Sequence, residues 1–461
     1  MNSQSKKMEL LGSASIPKAL LAMGIPTMIG MLVNAFYNLV DAYFVGGLGE
    51  SQMGAISVVY PLGQVVVGLG LLFGNGAASY ISRLLGRGDK ENADKVASTA
   101  LYSSISVGAV IIIISMIFLH PILKLLGATD SILPYAATYA GIYIVSCIFN
   151  VFNVTMNNIV TSEGAAKTTM CALLTGAALN IALDPLFIYV FDLGVAGAAI
   201  ATAISQVVST CVYLTYILRK KSVFHFRVKD CTYSREIMSE IFKIGIPTLV
   251  FQILTSLSIS LINNAAGDYG DSAIAGMGVV TRLISMGSLS VFGFIKGFQP
   301  IAGYSYGAKK FDRLREAIKT SILWSTVFCV IFGLVLALFP TAIVSQFTKG
   351  DAEMIRIGAA SLRANGITIM LFGFYTVYSS LFLALGKGKE GFILGACRQG
   401  ICFIPVILFL PMVWGLNGIL YTQPIADVLS AIITVFMAIP LHKKLNEMQR
   451  QVTVINTDEK N

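Results

Sequence analysis

Apolar runs long enough to cross a lipid bilayer recur about twelve times along this chain, separated by short polar connections, and no other feature limits its folding as severely. A membrane helix needs roughly 20 apolar residues, and every backbone N–H and C=O must find its partner inside the segment. The runs lie at 16–45, 53–82, 96–122, 132–162, 168–191 and 195–218, then at 241–266, 274–304, 317–344, 354–385, 391–413 and 416–441. Several exceed the minimum, as tilted or proline-bent helices do. Apolar residues fill both faces of each run, which excludes the alternating strands of a membrane barrel, roughly 10 residues each. Only 12% of the 461 residues are charged, against roughly 25% in a soluble domain. The expected fold is an all-α polytopic membrane protein of about twelve transmembrane helices.

No short apolar region followed by a small-residue cleavage site opens the chain, so the first run is expected to be a membrane helix rather than a leader. With the N-terminus inside, roughly 25 of the 33 lysines and arginines fall in cytoplasmic segments. They include Lys6, Lys7, Lys18, Arg83, Arg87, Arg219, Lys220, Lys221, Lys309, Lys310, Arg313 and Lys460, whereas the opposite loops hold only Lys124, Lys349 and Arg356. Both termini are therefore expected in the cytoplasm. This topology, with contact to anionic membrane lipids, accounts for the net charge of +9 without nucleic-acid binding. Of seven cysteines, six lie in the apolar runs and Cys231 lies between the sixth and seventh, with no CxxC or metal-type spacing, so neither disulfides nor structural metal are expected.

The two halves of the chain repeat each other. Gly24-Ile25-Pro26-Thr27 recurs as Gly245-Ile246-Pro247-Thr248, a shift of 221 residues (245 − 24), and the same shift carries Gly49 to Gly270, Gly86 to Gly307 and Gly194 to Gly415. Six helices per half is an even number, so the repeats are parallel and related by a pseudo-twofold axis along the membrane normal. The expected organisation is an N-terminal six-helix bundle at 1–218, a basic linker at 219–240, a C-terminal bundle at 241–441 and a tail at 442–461, with a central cavity between the bundles.

The repeat breaks at two acids. Asp41 and Asp184 lie inside apolar runs, where an unpaired carboxylate is costly, and the shift maps them onto Ile262 and Pro405. On the first helix Asn34, Asn38 and Asp41 follow i, i+4, i+7 spacing with Tyr37 four residues before Asp41; on the fifth, Asn180 and Asp184 are i, i+4 neighbours followed by Pro185. At about 1.5 Å per residue, Asp41, Asp184 and Thr202 of the sixth helix lie about 7 to 11 Å below the outer surface, while Asn157 lies nearer the cytoplasm. Two carboxylates with amide and hydroxyl oxygens suit a hard monovalent cation or a shared proton. Apart from Lys18 at the cytoplasmic start of the first run, the apolar runs of this half hold no lysine or arginine to pair with them.

The C-terminal half does carry Arg282, Lys296, Arg363, Arg398 and Asp427 in its runs. Arg398 and Asp427 are placed to pair across adjacent helices, and Arg363 to snorkel to the surface. Asn34, Asn38, Gln64, Lys296 and Gln299 are candidates for lining the cavity. The glycines at 68, 70, 74 and 76 suit close helix packing, since no Lys-Ser/Thr follows them as a phosphate loop requires. No nucleophile–base pair or HExxH cluster occurs, so an intramembrane enzyme is not expected.

Tyr37-Asn38-Leu39-Val40-Asp41, the Gly-Ile-Pro opening each half, Gly297-Phe298-Gln299-Pro300 with Tyr306-Gly307-Ala308, and Leu179-Asn180-Ile181-Ala182-Leu183-Asp184-Pro185 together resemble the multidrug and toxic compound extrusion (MATE) family, in its DinF-like, MepA-like bacterial branch. The resemblance covers essentially the whole chain. It implies two six-helix bundles around a V-shaped cavity and, in a bacterial cytoplasmic membrane, export of cationic or amphiphilic drugs against inward Na⁺ or H⁺. It further implies a monomer with no cofactor beyond the coupling ion. It places Tyr37, Asp41, Asn157, Asn180, Asp184 and Thr202 in a cation site of the N-terminal bundle. The NorM-like branch carries a glutamate on its seventh helix where this chain has Ser256, so a cation site of that kind is not expected in the C-terminal bundle. The alternatives are a lipid-linked saccharide flippase of the same fold, which would line its cavity with several basic residues, and a non-transport membrane receptor or enzyme, neither of which requires an internal duplication with buried acids.

Overall fold

The computed structural model describes residues 3–348 and 351–458, so Lys349 and Lys460, counted above, lie outside the described residues. A short helix α1 (Ser3–Gly12) precedes twelve long ones. These are α2 (Ile16–Gly46), α3 (Glu50–Arg87), α4 (Lys90–Ile117), α5 (Leu133–Ser162), α6 (Ala166–Val190) and α7 (Gly194–Leu218). The second set is α8 (Arg235–Gly267), α9 (Asp271–Gly307), α10 (Phe311–Leu338), α11 (Ala352–Ala384), α12 (Gly388–Trp414) and α13 (Leu416–Asp458). No strand occurs among the described residues.

Local chemistry sets the helix ends. Asp89, Ser234 and Asp351 each turn a side-chain oxygen onto the backbone N–H three residues ahead, at 3.1, 3.2 and 3.0 Å, capping α4, α8 and α11. Ser234 therefore starts α8 six residues before the expected end of the linker, which the structure confines to 219–234. The run expected at 96–122 breaks at Phe118, because the ring of Pro121 excludes a helical bond to Ile117; a separate short helix, Leu119–Leu125, follows. The last helix runs past the expected boundary at 441 and into the tail.

The packing repeats with the sequence. In the first half α3 lies on α5, α2 on α6 and α5 on α7; in the second, α9 lies on α11, α8 on α12 and α11 on α13. The halves join through α2 with α9 and α3 with α8 and α9. Lys310 donates to Gly12 O at 2.8 Å and Gln449 to Asp312 at 2.6 Å. Both ends of the chain thus meet the α9–α10 turn, which defines a terminal end of the molecule.

The seam between the halves is tightest at that end. A Cβ on Gly86 would stand 2.2 Å from Tyr304 O, and one on Gly307 would stand 2.1 Å from Arg83 O. Tyr304 lies 221 residues after Arg83, so the same contact is made twice across the pseudo-twofold axis. Thr27 Oγ1 donates to Gly293 O at 2.6 Å, Asn75 to Thr248 at 2.9 Å, and Arg83 to Glu240 at 2.6 Å. All three bonds lie in the parts of the helices nearer the terminal end. Toward the other end Phe36, Leu39 and Tyr43 of α2 are exposed.

α1 straps this closed end. Its Lys7 is buried beside Glu163 in the α5–α6 turn (3.5 Å) and bonds Tyr216 and Lys221 O, while Glu163 accepts from Tyr216, Ser222 and Val223 N. The other end of α1 is held from the second half, where Arg313 donates to the carbonyls of Leu10, Leu11 and Ala14. A guanidinium on the last carbonyls of a helix satisfies acceptors that have no partner within it and opposes the helix dipole.

Candidate functional site

Four helices bring polar groups together near the open end of the first half. Asp41 of α2 and Asp184 of α6 face each other within hydrogen-bonding reach. Asn180, one turn before Asp184, donates to its Oδ1 at 3.3 Å and to Thr202 Oγ1 of α7 at 3.4 Å. Asn180 and Asp184 are fully buried. Pro185 has no N–H to give to the preceding turn, and the helix widens into a π-helical turn, Leu186–Val190, directly after it.

Tyr37 of α2 and Tyr139 of α5 are near enough to both carboxyls to feel their charge, and Tyr143 stacks on Tyr139 with ring centroids 5.6 Å apart. The sequence reading missed this tyrosine pair. Its i, i+4 spacing at the depth of the acids, about 9 Å into α5, was the signal for it.

The oxygens left over define what the site can hold. Asp41 Oδ1, Asp184 Oδ2 and Asn180 Oδ1 are buried with no hydrogen-bond partner, and neither acid is in an ion pair among the described residues. Acceptors this close in a buried setting offer a place for a proton or a small cation among them. The donor set of carboxylate, amide and hydroxyl oxygens fits a hard monovalent ion.

The other candidates fall elsewhere. Asn157 donates to Tyr213 Oη at 3.2 Å and accepts from Lys296 of α9. Counting from the terminal end, it lies about 19 Å below Asp184 by helix rise, so the structure separates it from the acid cluster with which the resemblance grouped it. Asn38 bonds Asn34 Oδ1 at 3.1 Å and Gln64 bonds Tyr60 at 2.9 Å, both at exposed positions toward the open end. Lys296 and Gln299 line a separate recess near the terminal seam.

In the second half Arg398 donates to Asp427 at 2.9 Å and lies over the Phe372 ring, with Gln423 also donating to Asp427 at 2.9 Å. Ser256 bonds Gln252 O within its own helix at 3.3 Å. The second half thus has a closed ion pair where the first has open carboxyls.

The MatE family model matches residues 26–186 and 247–409, one match in each half. The chain belongs to the MatE family. It is 32% identical over 429 residues to the multidrug export protein MepA of Staphylococcus aureus, covering 93% of this chain and 94% of that protein. With MepA of Staphylococcus saprophyticus it shares 30% over 433 residues, covering 94% and 95%. Among solved structures it superposes with a TM-score of 0.89 on a MOP superfamily transporter from Pyrococcus furiosus, described as having a binding pocket of reverse polarity; identity is 27%, covering 96% of this chain and 99% of that one. It superposes at 0.90, with the same identity and coverage, on an outward-facing multidrug resistance MATE transporter. These relatives are transporters, not enzymes, and the chain is a multi-pass membrane protein of that transporter family.

Proposed function

We propose that this chain exports cationic or amphiphilic drugs from a bacterial cell through its cytoplasmic membrane, driven by Na⁺ or H⁺ returning inward through Asp41 and Asp184. The observation that carries this reading is the cluster of buried, unpartnered oxygens on Asp41, Asp184 and Asn180, completed by Tyr37 and Thr202. On this reading the N-terminal bundle at 1–218 is the coupling unit and the termini lie in the cytoplasm, so the open end faces outward. Drug leaves outward from a cavity that Asn34, Asn38 and Gln64 line on that side. Uptake of a proton or Na⁺ removes repulsion between the carboxylates, which lets α2, bent at Pro26, repack against α6 and close the space drug occupies. Drug and cation then exclude each other, and each weakens the other's binding by the same factor.

The test is efflux of a fluorescent cationic dye from proteoliposomes, with Na⁺ and proton gradients imposed separately. One gradient drives efflux, and Asp41→Asn or Asp184→Asn each abolishes it while insertion is unchanged, because an amide keeps the shape but cannot take up the compensating charge. Dye efflux at the wild-type rate in both variants would overturn the site.

A further inference from the structure

Among the described residues one ion pair crosses between the halves, and the repeat does not duplicate it. Arg83 of α3 meets Glu240 of α8 at 2.6 Å. The 221-residue shift carries Arg83 to Tyr304 and takes Glu240 back to Ala19, so no second pair answers it. Arg83 is buried, and both halves enclose its guanidinium. It lies over the ring of Tyr80 in its own helix, 5.2 Å from the centroid, and its Nε donates to Ser79 O at 3.3 Å. On the far side a Cβ on Gly386, in the α11–α12 turn of the second half, would stand 2.4 Å from its Nη1.

The two charges are not equally supplied. Glu240 also accepts from Lys243, a half-exposed neighbour in the next turn, at 3.2 Å. Glu236, one turn earlier, is taken by Tyr80 at 3.0 Å, which leaves Glu240 as the one carboxylate paired with Arg83 among the described residues. Loss of the acid therefore strands a buried cation, whereas loss of the base leaves the acid a partner.

We infer that this pair is an ionic latch on the terminal end: the two halves close there only when Glu240 meets Arg83. A transporter of two parallel lobes exposes its central cavity to each side in turn, so the end shut here must part, and parting moves Arg83 from a buried place into a water-filled cleft. A guanidinium without its acid is costly in the closed form and hydrated in the open one. Removing Glu240 thus favours opening whatever the intact pair is worth, removing Arg83 favours it less, and removing both strands no charge. The latch rests on alternate opening of the two ends in the export reading above, and not on Asp41, Asp184 or the identity of the driving cation.

The full chain is placed in lipid nanodiscs without drug or ion gradient and carries spin labels on genetically encoded ketone side chains in place of Lys167 and Lys389. Both positions are exposed, at the starts of α6 and α12, one in each half, and the seven cysteines stay in place. Pulsed electron–electron resonance gives the ratio of long to short separations between the labels. Glu240→Gln raises that ratio about tenfold, the value of one charged hydrogen bond, and Arg83→Gln raises it less. The two changes together return it to within about threefold of wild type, the coupling expected of a pair. Should Glu240→Gln not fold, Glu240→Asp serves, since a shorter side chain draws the carboxylate off Arg83 and gives a smaller rise in the same direction. A ratio unmoved by loss of the acid, or a double variant as open as Glu240→Gln alone, would overturn the latch. Because the readout needs neither dye nor gradient, its failure is distinct from a failure of dye efflux.

Discussion

Arg398 and Asp427 lie in adjacent helices of the second half, both almost wholly buried, at 2.9 Å. Removing one partner strands the other's charge, which costs about 3 to 5 kcal/mol, whereas removing both costs far less. Asp427→Asn should therefore lower the thermal unfolding midpoint sharply, and Arg398→Met combined with it should restore part of the loss. Strictly additive shifts would mean that the two side chains do not act as a pair. At this scale the sequence was most readable where charge is costliest. Asp41, Asp184, Arg398 and Asp427 stand out because hydrocarbon excludes them, and their spacing gave the Asn180–Asp184 neighbours. Tyr139 did not stand out, because tyrosine is common in membrane helices and only the packing of α5 turns it toward the acids.

The short helix α1 is held by both halves, by Glu163 on one side and Arg313 on the other. Burial is the first influence on the Lys7–Glu163 pair, pushing Glu163 above the ordinary carboxylate range and Lys7 below the ordinary amine range, with each partner's charge opposing the shift. A folded carboxyl that binds its proton more tightly than the unfolded one gains stability as pH falls through its raised value toward its ordinary one. That contribution is lost as pH rises again. The difference in unfolding midpoint between wild type and Glu163→Gln should accordingly grow in favour of wild type from pH 8 down to pH 5, conditions set on the scale of ordinary carboxyl and amine titration. A difference that shrinks on acidification would refute the assignment. Nothing in the apolar periodicity marks α1, since it is too short to span a membrane and owes its place to partners more than 150 residues away.

Across the molecule, the duplicated seam gives a symmetric expectation. Gly86→Ala and Gly307→Ala each drive a methyl into a carbonyl on the opposite helix, an overpacking that costs about 1 to 3 kcal/mol, so both should lower the unfolding midpoint by similar amounts. Gly141, where an added Cβ meets nothing within 4 Å, is the control, and Ala there should be neutral or slightly stabilising. Unequal losses at the two seam positions would show that the halves do not bear on the seam alike.

By itself the sequence determined the number of membrane helices, their all-α character and, through its 221-residue shift, the duplication. The first two follow from a local rule: hydrocarbon demands internally bonded apolar helices. The tertiary structure decided which side chains at a given depth turn toward one another. It joined Tyr139 to the acids, sent Asn157 to Lys296 instead, and carried Lys7 into a turn of the first half while Arg313 gripped the same helix from the second. Rotation of a helix about its axis and the approach of two backbones at glycine depend on contacts between segments far apart in the chain, and no single segment encodes them.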